Sequence, residues 1–237
     1  MGKARRIPLL RVLLACNLIP AVAAPAFAQA VSPSPPDHAA HYTFTLAHFT
    51  FESGTTVPDV RVVYATYGRL SAMRDNAILL PSHYLADHHG YDWLIGPGLA
   101  LDTTRYFLVA TELFGNGHSS SPSNTPEPFH GPRFPVATVR DNVEAVHRLL
   151  VDELGITHLR AIIGFSMGAE QAFQWAVSYP AFTDRIVATS GTAKCWPHGV
   201  VRLEAQIGAI TLAVGSGPIE ENQWERIAEL AERVDFS

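Results

Sequence analysis

The stretch LRAIIGFSMGAEQAFQWAVSY, residues 159 to 179, constrains this chain more than any other. Its first seven residues, apolar apart from Arg160, predict a strand. A helical pattern begins at Met167 and stops before Pro180, and Ser166 stands at the junction between Gly164 and Gly168. G-x-S-x-G with a strand before and a helix after is how an α/β chain presents a nucleophilic serine on a sharp, strained turn. The positions two before and two after must be small for strand and helix to pass closely. The Met167 N–H, opening the helix, is then expected to face the oxyanion formed on acyl attack. The bland alternative is a chance glycine–serine turn, and the elements before it weigh against that. Ala169, Ala172, Phe173 and Ala176 are expected to face the sheet.

Strands are expected at residues 42–51, 60–67, 77–81, 106–111, 159–165 and 185–190. A helix starts at Thr138, where Thr138 and Asp141 fit a capping box. It continues through Val143, Val146, His147, Leu150 and Leu154 to Gly155. Strands alternating with helices imply a mostly parallel sheet with helices on both faces. The turn-rich segment 114–135 is long enough to suggest a functional loop. Trp93, Phe173 and Trp175 read as core fillers. The segment around Trp224 to Val234 has helical spacing.

The N-terminus reads as an export signal. Lys3, Arg5, Arg6 and Arg11 precede an apolar stretch that ends in Ala26-Phe27-Ala28, so residues 1–28 are expected to be removed after Ala28. Pro20 and Pro25 argue against a membrane anchor. Arg5-Arg6 leaves a twin-arginine reading open, and Cys16 a lipoprotein one. Residues 29–41 form a proline-rich linker, and residues 42–237 form one domain. The processed chain has 13 basic residues against 22 acidic ones, a net charge of −9. That balance excludes nucleic acid as a natural partner, and no membrane contact is expected after cleavage. Cys195 is then the only cysteine, so no internal disulfide forms.

Residues 62–117 (VVYATYGRL…ELFGNG) and 134–180 (FPVATVRDN…WAVSYP) together resemble the homoserine O-acetyltransferase family of α/β-hydrolase-fold proteins, collinearly over about residues 42 to 200. The resemblance implies a three-layer α/β sandwich with Ser166 taking up the acyl group. It implies an oxyanion loop at HYLAD, residues 83–87, with the Leu85 backbone as second donor beside Met167, and no cofactor. Two departures point to the family's divergent, hydrolase-like members. FGNGHSSSPSN stands where the acetyltransferases carry a glycine-rich serine–threonine segment. The serine turn has Phe165 and Ala169-Glu170 where they have Gly and Gly-Met. Export argues the same way, since acetyl-CoA and homoserine are cytosolic. The leading expectation is a serine-dependent hydrolase of small acyl esters. Acyl transfer to an alcohol or amino acid is the alternative within enzymes, and an inactive pseudoenzyme or gene fragment the alternative outside them. Oligomeric state is left open.

A serine needs a base and an acid, placed in this fold in the order Ser, Asp or Glu, His, on loops after later strands. After Ser166 the only histidine is His198. Asp184 precedes its strand, at the wrong edge of a parallel sheet, and no acid follows a strand near His198. The chain is therefore expected to be truncated before the last strands, with residues 198–237 the start of a helical lid. His83, Asp87, His88 and His89 raise a zinc site as a third reading. Adjacent His88 and His89 would have to converge within one flexible loop, and no second ligand cluster is spaced to join them, so no metal is expected.

Overall fold

The computed structural model describes residues 39–84 and 86–214. The chain divides into two units, Met1–Pro35 and Pro36–Ser237. The expected signal segment 1–28, Leu85 and the helix expected around Trp224 lie outside the described residues. No helix among the described residues is long and apolar enough to cross a membrane.

Six strands form one mixed sheet in the order β1-β2-β4-β3-β5-β6. They are β1 (Ala40–Thr50), β2 (Thr56–Tyr67), β3 (Ala77–Pro81), β4 (Phe107–Thr111), β5 (Ala161–Phe165) and β6 (Ile186–Thr189). β1 pairs with β2, and β2 with β4, antiparallel; β4, β3, β5 and β6 run parallel. The first two strands begin earlier than the apolar pattern suggests. Hairpin pairing from Ala40↔Thr66 to Thr50↔Thr56 recruits backbone irrespective of side chain. The helices are α1 (Val139–Arg148), α2 (Met167–Ser178) and α3 (Pro197–Val214), the last at the start of the segment expected to be helical. α1 runs on through one π-helical turn, Leu149–Glu153, and Gly155 follows at φ 60°.

β3 (AILLP) and β4 (FLVAT) are buried at every position, the pattern of central strands covered on both faces. Alternation decides which side chain meets which layer. Leu79, Val109 and Ile162 join Val143 and Leu149 on one face, with Ala172 and Trp175 of α2. Ile78, Leu80, Leu108 and Ala110 meet Tyr91 and Leu101 on the other. Each fully buried side chain of this size contributes about 1.5–3 kcal/mol through loss of apolar surface to water. Two expectations are corrected. The buried face of α2 includes Gln171 and Trp175 beside Ala169 and Ala172, while Phe173 and Ala176 are only half-buried. Trp93 is 75% exposed. The 3-10 turn that carries it, His88–Leu94, is anchored by buried Tyr91 and His88 and turns Trp93 outward.

Candidate active site

Ser166 lies between the C-terminal end of β5 and the first turn of α2, with φ 51° and ψ −121°. A non-glycine residue held there stores about 1–3 kcal/mol of backbone strain, so its neighbours must over-determine the turn. They do so first by hydrogen bonds. The Ser166 N–H donates to Thr189 O at 2.9 Å, and Ser166 O accepts from the N–H groups of Ala169 at 2.9 Å and Glu170 at 3.2 Å. The Phe165 N–H donates to Tyr91 Oη at 3.1 Å, and that hydroxyl donates in turn to Pro81 O at 2.8 Å. Burial pushes the Tyr91 phenol above its usual pKa, the Phe165 N–H partly offsetting it, so it stays a neutral donor. Gln171 Nε2 adds a bond to Ser82 O at 2.9 Å.

Close packing does the rest. A Cβ on Gly164 would lie 2.1 Å from Gly168 O, and one on Gly168 would lie 2.5 Å from Pro81 O and 2.8 Å from Tyr91 Oη. The contacts with Gly168 O and Pro81 O are backbone collisions that no side-chain rotation relieves. Gly191, after β6, is held the same way against Ser166 O. Sequence reasoning identified Gly164 and Gly168 from the motif but missed Tyr91, Gln171 and Gly191. These residues act from other elements and follow no spacing rule relative to the serine.

Beside the turn lies a cleft of about 690 Å³, walled by the loop after β3, the loop after β4 and the first turns of α1 and α2. Met167 and Glu170 line it from α2, and His83, Tyr84 and Ala86 from the facing loop. Among the described residues no acceptor takes the Met167 N–H. Leu85 itself lies outside the described residues, but its neighbours on both sides line the same cleft as Met167. His83 packs edge-on against Phe165, ring centroids 5.2 Å apart, and against Tyr91 at 5.9 Å.

The long loop after β4 divides between two roles. Gly115, Asn116 and His118 line the cleft. Three of its four serines serve the backbone: Ser119 Oγ accepts from Val63 N–H at 3.0 Å and Ser120 Oγ from Arg61 N–H at 2.8 Å, while Ser121 Oγ donates to Ser119 O at 2.8 Å. Ser119 and Ser120 fasten the loop to β2 and Ser121 braces it internally, so no chemistry need be assigned to them.

Asp184 sits just before β6, whereas Ser166 follows β5, and the two strands are parallel. The aspartate is thus at the opposite edge of the sheet, bonded to His158 Nε2 at 2.9 Å with Arg160 at 3.7 Å. The hydrogen bond from His158 holds its carboxyl below the usual range. His198 falls in the first turn of α3. From the opposite edge of the sheet, Asp184 is not placed as the acid of a Ser–acid–His relay.

Residues 78–216 match the alpha/beta hydrolase fold family. The chain is 37% identical to an ethyl acetate hydrolase of Pseudomonas veronii, over 74% of this chain and 50% of the relative. It is 38% identical to a homoserine O-acetyltransferase of Methanosphaerula palustris, over 71% of this chain and 38% of that protein. Among solved structures, an acetylester hydrolase from Corynebacterium glutamicum superimposes with a TM-score of 0.71 at 35% identity, covering 74% of this chain and 50% of that one. The chain spans about half the length, or less, of the curated relatives it matches.

Proposed function

Because the chain belongs to the α/β-hydrolase-fold family, among its homoserine O-acetyltransferase-like members, whose activities are ester hydrolysis and acyl transfer, we propose that it carries the nucleophile of an exported serine ester hydrolase. Ser166 Oγ attacks the ester carbonyl carbon. The N–H groups of Met167 and Leu85 hold the resulting oxyanion. The alcohol leaves with a proton delivered by the base, and water then releases the acid from the acyl-enzyme. The base and its acid come from outside residues 39–214. Export follows from residues 1–28 acting as a signal cleaved after Ala28.

The observation that carries this reading is Ser166 at φ 51°, ψ −121°, locked by backbone collisions on both flanking glycines. No folding advantage offsets such strain, whereas an exposed nucleophile needs it. A cleft of about 690 Å³ suits a small ester. Phe165 beside the serine, and the serine-rich loop bonded to β2, favour water over a specific acyl acceptor. Similarity to a homoserine O-acetyltransferase at 38% identity favours transfer as the second reading.

The two separate in one assay with a chromogenic acetyl ester, with and without homoserine. Hydrolysis predicts acetate as the sole acyl product in both, and loss of at least about a thousandfold in turnover for Ser166→Ala. O-acetylhomoserine formed at the expense of acetate would establish transfer. Turnover unchanged in Ser166→Ala would remove both readings.

A further inference from the structure

Across the sheet from the serine helix, the 3-10 turn after β3 gathers imidazoles that the sequence alone leaves scattered. His88 and His89 converge, ring centroids 4.0 Å apart. His41, from the first turn of chain in β1, packs edge-to-face on His88 at 4.7 Å and lies 6.4 Å from His89. Asp87, His88 and His89 each offer a ligand atom, all within 4.8 Å of one another.

Each of the two adjacent histidines is oriented by a carboxylate on its Nδ1. Glu112 Oε1, on a residue 3% exposed, lies 2.8 Å from His88 Nδ1 and also accepts the His88 backbone N–H at 2.9 Å. Asn116 Nδ2 holds the other Glu112 oxygen at 2.6 Å. Asp92 Oδ2 lies 2.7 Å from His89 Nδ1. With Nδ1 so engaged, Nε2 is the ring atom left to His88. His88 is 9% exposed, and its Nε2 is buried without a hydrogen-bond partner among the described residues. A buried imidazole nitrogen in that condition costs free energy unless something takes its lone pair. Carboxylate–histidine pairs with Nε2 turned inward are how proteins prepare imidazoles for a metal.

We propose that this cluster is a zinc site. His88 and His89 bind through their imidazoles and Asp87 through its carboxylate, and Glu112 and Asp92 form the supporting shell. Imidazole and carboxylate ligands suit divalent zinc. The expectation of no metal rested on adjacent histidines failing to converge and on the lack of a second ligand group. The 3-10 turn supplies the convergence, bringing one ligand atom each from Asp87, His88 and His89 within 4.8 Å of one another. The metal would brace the loop that continues into the cleft wall at His83 and Tyr84. This proposal stands whether or not Ser166 is catalytic.

The test titrates the full chain, stripped with a chelator, with zinc chloride by calorimetry. The expected result is one equivalent bound, with a raised unfolding temperature. Affinity should fall at least tenfold in His89→Gln and His88→Gln, and tenfold to a hundredfold in Glu112→Gln. His89 is exposed enough to be replaced without threatening the fold, and Cys195→Ser should bind zinc as the parent does. No heat and no stabilisation would overturn the proposal. So would binding untouched by the histidine variants, or binding lost with Cys195.

Discussion

α1 and α2 both begin beside the same cleft, and their first turns are solved in opposite ways. At α1, Thr138 has extended geometry, φ −96° and ψ 170°. Its hydroxyl accepts from Asp141 N–H at 3.2 Å, and Asp141 Oδ2 accepts from Thr138 N–H at 2.8 Å. Asp141 Oδ1 reaches further, to Glu52 N–H at 2.7 Å, joining the helix start to the β1–β2 hairpin. The local donors are matched by local side chains, which is what stabilises a helix terminus.

At α2 the N-cap residue is again a hydroxyl residue of the favoured kind, yet Ser166 makes no capping bond. With φ 51° and ψ −121° the backbone does not bring its hydroxyl into the capping position of the helix it precedes. Its stability comes from distant partners instead: Thr189 O, the Tyr91 hydroxyl and the packing of three glycines. A hydroxyl residue in two backbone states thus gives a cap in one place and, in the other, a hydroxyl with no capping bond beside an N–H that no acceptor takes among the described residues. Consistency between local preference and fold is the rule in foldable sequences, and its local failure marks a site under functional constraint.

The comparison can be broken first at the glycines. Gly168→Val forces a side chain against Pro81 O and Tyr91 Oη, and should cost at least about 3 kcal/mol, measured by denaturant unfolding. A smaller cost would mean that the turn relaxes freely and stores no strain. Tyr91→Phe should cost about 1–3 kcal/mol, because it leaves both Pro81 O and the Phe165 N–H without their partner in a buried setting. Thr138→Ala removes the ordinary cap and should cost about 1 kcal/mol, with Asp141 left to hold the turn alone.

The smallest effect is the pH response where the two helices meet at their far ends. His147 of α1 stacks on Tyr179 at 3.9 Å, beside Trp175 and Phe182. Burial holds its pKa below the ordinary value, Glu144 and Asp152 partly opposing the shift. The unfolded chain therefore takes up the proton at higher pH than the folded one. This stabilising contribution is complete above about pH 6.5 and declines as pH falls below that, levelling off once the folded histidine has protonated. The His147 imidazole should titrate below 6.5 by NMR. His147→Phe should flatten the change in unfolding midpoint across that range.

Much of the fold was legible because the chain advertises it through periodicity. AILLP gave β3 to the residue, the Thr138–Asp141 box gave the start of α1, and Pro180 the limit of α2. The serine turn was legible because strand, glycines and helix must be contiguous in sequence. What supports it was not, because Tyr91 and Gly191 reach Ser166 only through the sheet order. The exposure of Trp93 was missed for a related reason. Hydrophobicity predicts burial on average, but the 3-10 turn faces inward through its neighbours Tyr91 and His88. His41 and Glu112 carried no signal as partners of His88, since only the β1–β2 hairpin and β4 bring them there.

The central claim is that the distorted turn makes Ser166 a nucleophile, and covalent labelling tests it most directly. Folded protein would be treated with a fluorophosphonate probe and digested, and the adduct located by tandem mass spectrometry. The account predicts one phosphonyl group, on Ser166, absent from heat-unfolded protein and from Ser166→Ala. A well-folded protein that stays unlabelled, or that carries the adduct on another serine, would contradict it.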